Sequence, residues 1–198
     1  MMTSTNKSRP VYAPLEADPR GTQHWLVISG ATEAARSSAF SALSNVSPLE
    51  VWSVEEDMAH AGAGAACAVP NAVAHRFDGE DELLGALGVA LRGARVGLRI
   101  YALGTEPFIW SVQQVAALAG IALEAVRLVH SGSLQRRVYC IHCRTMNEGV
   151  ATNLVPCAGC GRHLFVRDHF SCRLAAFMGV QADAEVPGEL PEIEHTYL

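Results

Sequence analysis

The chain has 198 residues, 49% of them hydrophobic, and a formal net charge of −5, which suits one modest domain with a small appendage. Lys7 is the only lysine, so positive charge is almost all arginine, and the acidic balance works against nucleic acid as a partner. Residues 1–20 are polar with no apolar signal core, and no apolar run reaches the length of a membrane span, so a cytoplasmic protein is expected.

Residues 1–22 read as a flexible lead-in and residues 23–132 as an α/β domain. The run 24–29 (HWLVIS) is nearly continuous in apolar residues and ends at Gly30, the pattern of a strand buried on both faces. Thr32 is placed to cap a helix reaching about Leu43, with Glu33 in its first turn. Residues 49–54 predict a second strand, 55–70 a loop or irregular helix, and 72–77 a third strand. Acids gather at the start of 78–93 and Leu83, Leu87 and Leu91 follow at helical spacing, so a helix is predicted there. Residues 96–102 predict a strand with Val96, Leu98, Ile100 and Ala102 on one face. Thr105 and Pro107 open the next helix, which should bury Ile109, Val112, Val115 and Leu118 and stop at Gly120. Residues 125–129 close the sheet. Strands alternating with helices in this way predict a parallel, three-layer α/β sheet.

The most specific chemistry lies further on. Cys140-x2-Cys143 and Cys157-x2-Cys160 are separated by thirteen residues. Each C-x2-C turn presents two thiolates, and two such knuckles facing each other make a tetrahedral sulfur cage. Gly161 after the second knuckle permits the sharp turn that brings backbone N–H groups to sulfur. Short strands at 136–139 and 163–166 complete a zinc ribbon, assigned to residues 133–170. Zinc is the expected occupant. Iron in the same four thiolates would make a rubredoxin-like electron carrier, and spacing does not separate the two. His142 lies inside the first knuckle but is not needed to fill a tetrahedron, and Cys67 and Cys172 fall outside the pattern.

The ribbon carries Arg136, Arg137, Arg144, Arg162, Arg167 and Arg173 against Glu148 and Asp168. Without an aromatic stacking platform this basicity points to an acidic protein surface more than to nucleic acid. His163, Asp168 and His169 could form an acid–base pair, but no convergent pocket is legible and a structural role is expected. Residues 171–198 read as a short helix over 171–178, with Leu174, Phe177 and Met178 as its apolar side, and then an extended acidic tail. That arm either docks on another chain or folds back over its own ribbon; the sequence leaves both open.

The segment 101–107 (YALGTEP), its helix and the strand 126–130 resemble the end of a ferredoxin-reductase nicotinamide domain. In that family a Cys-Gly-Pro turn follows the fourth strand, where this chain has Leu103-Gly104-Thr105. The first turn, residues 29–33 (SGATE), has one glycine and an acid where phosphate would sit. The domain therefore reads as reductase-like with its nucleotide site lost; Gly30, Thr32, Gly104 and Thr105 are the residues that would carry a retained one.

The whole arrangement, with knuckles 139–143 (YCIHC) and 157–161 (CAGCG) and the stretch 166–188, resembles the small, DmmA-like subunit of bacterial dimethylamine monooxygenase. The resemblance implies an accessory subunit without a complete active site of its own, within an oxygenase that N-demethylates dimethylamine to methylamine and formaldehyde. It also implies two partners, a haem-containing oxygenase subunit and a flavin/iron–sulfur reductase subunit, which hold those cofactors. A regulatory or nucleic-acid-binding ribbon is the remaining alternative.

Overall fold

A computed structural model describes residues 8–54 and 72–198. They form two compact units, Tyr12–Gly132 and Ser133–Leu198, the second joined by residues 8–11. The segment expected as a loop or irregular helix, and Cys67 within it, lie outside the described residues.

In the first unit, strands β1 (Gln23–Ser29), β2 (Leu49–Val54), β3 (Val73–Phe77), β4 (Leu98–Gly104) and β5 (Val126–His130) pair in parallel, in the order β3-β2-β1-β4-β5. Helix α1 (Glu33–Ala42) covers one face, where Ala39, Phe40 and Leu43 meet Leu26, Ile28, Val51, Tyr101 and Leu103. Helices α2 (Glu80–Leu91) and α3 (Glu106–Leu118) cover the other, where Leu83, Leu87, Phe108 and Val112 meet Trp25, Val27, Trp52 and Ile100. The central strands are apolar at successive positions because both their faces are buried. Thr32 caps α1 by accepting a hydrogen bond from the Ala35 amide at 3.3 Å.

Two face assignments need correction. Val96 is fully exposed and precedes β4, which begins at Leu98. Leu118 is 90% exposed, while Ile109, Val112 and Ala116 are buried. Nine residues beyond Ile109 is about two and a half helical turns, so Leu118 points to the opposite side of α3. Repeating a spacing of three drifts off the buried stripe.

Residues 8–22, within the segment expected as a flexible lead-in, make specific contacts with the sheet and α3. The Asp18 carboxylate is buried and held by Arg20 (3.0 Å) and Arg99 (2.8 Å). Those hydrogen bonds, Arg20 first, keep its pKa well below the usual carboxylate range. The Asp18 amide donates to the Tyr101 hydroxyl, which also meets His24 Nδ1 at 3.1 Å. Tyr12 donates to Glu106 Oε1 at 2.7 Å and accepts from Trp110 Nε1 at 2.9 Å. Polar residues spread along the lead-in are thus pinned to the start of β4 and to the first turns of α3.

The second unit holds β6 (Arg136–Cys140), β7 (Met146–Val150), β8 (Leu154–Pro156), β9 (His163–Ser171) and β10 (Ala176–Gln181), in the order β7-β6-β10-β9-β8. Hairpins β6–β7 and β8–β9 each carry one knuckle, and β10 runs between them, antiparallel to β9 and parallel to β6. The helix expected over 171–178 is therefore absent: β9 extends to Ser171, the chain turns through Ala175 (φ 50), and β10 begins. Phe177 is buried edge-on against Phe170 at 5.0 Å, so cross-strand packing overrides the apparent helical spacing. Beyond β10 the tail returns to its own unit. Asn153 donates to the Glu192 carbonyl at 3.0 Å and accepts from the Glu194 amide at 2.8 Å, and Tyr197 is buried.

Candidate metal centre

The two knuckles repeat one backbone design. In the first, the Cys140 amide donates to the Thr145 carbonyl (3.0 Å) and the Arg144 amide to the Cys140 carbonyl (2.9 Å). In the second, Cys157 donates to Arg162 (2.8 Å) and Gly161 to Cys157 (2.9 Å). The fifth residue of each turn is left-handed, Arg144 at φ 66 and Gly161 at φ 71. Glycine takes that conformation without a Cβ clash, whereas Arg144 is held in it by the closed turn.

These turns bring all four sulfurs within 4.8 Å of one another, Cys140 to Cys160 at 3.9 Å and Cys143 to Cys157 at 3.5 Å. Four sulfurs bound at about 2.3 Å to a tetrahedral ion lie about 3.8 Å apart, so the cage fits a mononuclear centre. All four are free cysteines, with Cys140 and Cys157 buried and Cys143 exposed. Burial pushes the Cys140 thiol up to about 11. The Thr145 hydroxyl and amide, by hydrogen bonding, lower Cys143 to about 6, and Arg162 lowers Cys160 in the same way. The donor set is all soft sulfur and fills a tetrahedron, which suits zinc or iron and leaves no open position for a substrate.

Two residues beside the cage were not singled out from the sequence. Asn147 on β7 is buried, and its carboxamide reaches both knuckles. Gly159 lies where the knuckles touch: a Cβ there would stand 2.1 Å from Thr145 Oγ1 and 3.1 Å from Cys143 Sγ. The pattern CAGC hints at a small residue, but not at what it must clear.

The other singled-out residues lie outside the sulfur cluster. His142 is exposed, and Cys172 is an exposed free thiol at the β9–β10 turn. His163 and His169 are exposed, whereas Asp168 binds Arg9 and lies 3.0 Å from Arg136 as an ion contact. Burial pushes the Asp168 carboxyl up, but the two arginines outweigh it and hold it below its ordinary range. Arg136 is itself buried, its guanidinium 3.8 Å from the ring centroids of both Phe177 and Tyr197. Arg137 pairs with Glu148 at 2.6 Å and Arg162 donates to Gln181, so part of the local basicity is neutralised or bound within the unit.

Residues 137–180 match the C-terminal domain, and residues 4–126 the N-terminal domain, of the dimethylamine monooxygenase subunit DmmA-like family. The heme-dependent oxidative N-demethylase delta subunit of Ectopseudomonas mendocina (strain ymp) is 32% identical over 180 residues, 91% of either chain. The chain belongs to the DmmA-like family. No solved structure matches it.

In this DmmA-like chain the nucleotide candidates Gly30, Thr32, Gly104 and Thr105 lie at the carboxyl ends of β1 and β4, where the strand order reverses. A Cβ on Gly30 would lie 2.9 Å from Thr105 Cγ2, and one on Gly132 would lie 2.0 Å from the Gly30 carbonyl oxygen. The Thr32 amide, at the start of α1, donates to Ser131 Oγ at 3.1 Å, and the Gly104 carbonyl accepts from the Ser131 amide at 2.8 Å. Ser29 donates to Glu80 at 2.7 Å. The Thr32 amide and the Gly104 carbonyl of this crevice are thus engaged by Ser131, and the Ser29 hydroxyl by α2. Among the described residues no helix is long and apolar enough to cross a membrane.

Proposed function

We propose that the chain is a non-catalytic accessory subunit of a haem-dependent oxygenase that N-demethylates dimethylamine to methylamine and formaldehyde. The observation that carries this reading is its 32% identity, over 91% of its length, to a subunit named for heme-dependent oxidative N-demethylation. Haem, flavin and iron–sulfur cluster belong in this reading to a haem-containing oxygenase subunit and a flavin/iron–sulfur reductase subunit. The chain scaffolds one against the other. Cys140, Cys143, Cys157 and Cys160 hold zinc, which cross-links the two knuckle hairpins and takes no part in turnover. A closed four-sulfur cage, with no vacant coordination position, supports the structural role.

The test is metal content and visible absorption of the chain purified under reducing conditions, followed by assembly with the other oxygenase subunits. About one zinc in a colourless protein is expected. Cys157→Ala should lose the metal and the complex with it; full assembly and turnover by that variant would sink the reading. Cys143, exposed at the edge of the cage, favours one second reading, an electron relay with iron in the same thiolates. A red, reversibly reducible protein with one iron would establish it.

A further inference from the structure

The Asn147 carboxamide joins the two knuckles. The two hydrogens on its Nδ2 serve three acceptors, the Val138 carbonyl at 3.1 Å, the Thr145 carbonyl at 3.4 Å and Cys157 Sγ at 3.9 Å, so one N–H is shared between two of them. Its Oδ1 accepts from the Ala158 amide at 2.8 Å. The Thr145 carbonyl is the one that closes the first knuckle on Cys140, and Ala158 sits between the cysteines of the second. One planar group therefore ties a carbonyl of one turn to an amide of the other. The amide cannot be turned over, because its oxygen would then face two carbonyls and its NH2 would face an N–H. The residue is 6% exposed, so each of these bonds is made away from competing water.

We infer that Asn147 is a positioning residue of the metal centre: it holds the second knuckle in register with the first and donates an N–H to the metal-bound Cys157 thiolate. The inference rests on the reading that the four thiolates hold a metal. Hydrogen bonds to ligating groups fix ligand orientation and tune the metal, and their loss weakens binding. An N–H directed at sulfur also lowers the energy of the sulfur lone pair, which a spectrum can read.

The full chain, stripped of metal under reducing conditions, is titrated with Co2+ as wild type, Asn147→Ala and Asn147→Asp. Asn147→Ala should bind cobalt about 10- to 100-fold more weakly. Its sulfur-to-cobalt charge-transfer band should move to lower energy. Asn147→Asp should be weaker still, because it keeps the shape but turns an acceptor oxygen towards two carbonyls and a thiolate. A side chain that merely filled space would give the opposite order, with the isosteric Asp milder than Ala. That order, or wild-type affinity with an unmoved band, overturns the inference. Should Asn147→Asp not fold, the affinity and band position of Asn147→Ala decide alone. Wild-type chain that binds no cobalt removes the metal reading itself, whereas unchanged variants of a cobalt-binding wild type remove only the role of Asn147.

Discussion

Gly159 shows how closely the knuckles approach. Alanine at this position would place its Cβ 2.1 Å from Thr145 Oγ1 and 2.9 Å from Thr145 Cβ, and turning the threonine side chain relieves the first contact but not the second. Gly159→Ala should therefore lower zinc affinity by about ten-fold or more, on the scale of other changes to a ligand's surroundings, as read by competition with a chromophoric chelator. Asp18 makes a second prediction. Its folded pKa is depressed by Arg20 and Arg99, so its contribution to stability is complete above the ordinary carboxylate pKa, about 3.9, and is lost as pH falls below it. Asp18→Asn should destabilise the α/β unit at pH 7 and flatten the acid limb of its stability profile, followed by tryptophan fluorescence. An acid limb as steep as that of wild type would assign the loss to other carboxylates. Neither residue was legible beforehand. Asp18 is partnered by an arginine 81 positions away, and Gly159 by a hydroxyl on another turn.

At the scale of elements, the local signals that worked were those whose cause is local. Thr32 and the acids in the first turn of α2 mark helix starts because they act on the nearest amides, and C-x2-C closes within one turn. The spacing of Leu83, Leu87 and Leu91 likewise matched a buried stripe, each of the three being at most 2% exposed. Leu87→Ala should cost about 2–5 kcal/mol, measured by denaturant unfolding, since it opens a cavity beneath α2. A cost under about 1 kcal/mol would mean that the helix collapses onto the gap. The segment 171–178 failed for the converse reason. Leu174, Phe177 and Met178 suit a helix by spacing, yet Phe177 pairs with Phe170 on one side and Val138 on the other, neither visible from the segment itself. The turn at Ala175 lets the strand pair on both edges, and those pairings outweigh local preference.

At the scale of the molecule, each unit has its own core, and the probes divide cleanly between them. Trp25, Trp52 and Trp110 all lie in Tyr12–Gly132, while the four clustered cysteines lie in Ser133–Leu198. Chelation should therefore remove strand signal from the far-ultraviolet circular dichroism while leaving tryptophan emission in place, because metal binding supplies folding free energy to the ribbon unit. Emission that shifts in step with the loss of strand signal would make the two units one cooperative whole. The strand order β7-β6-β10-β9-β8 has a consequence in time as well as in space. The strands of the two knuckle hairpins do not pair with each other; β10 is the splice between them, and it is the last strand made. A nascent chain grown only to Ser171 carries all four thiols but lacks the rail on which the two halves align. During synthesis, then, the strand that aligns the two knuckles emerges only after all four thiols have been made.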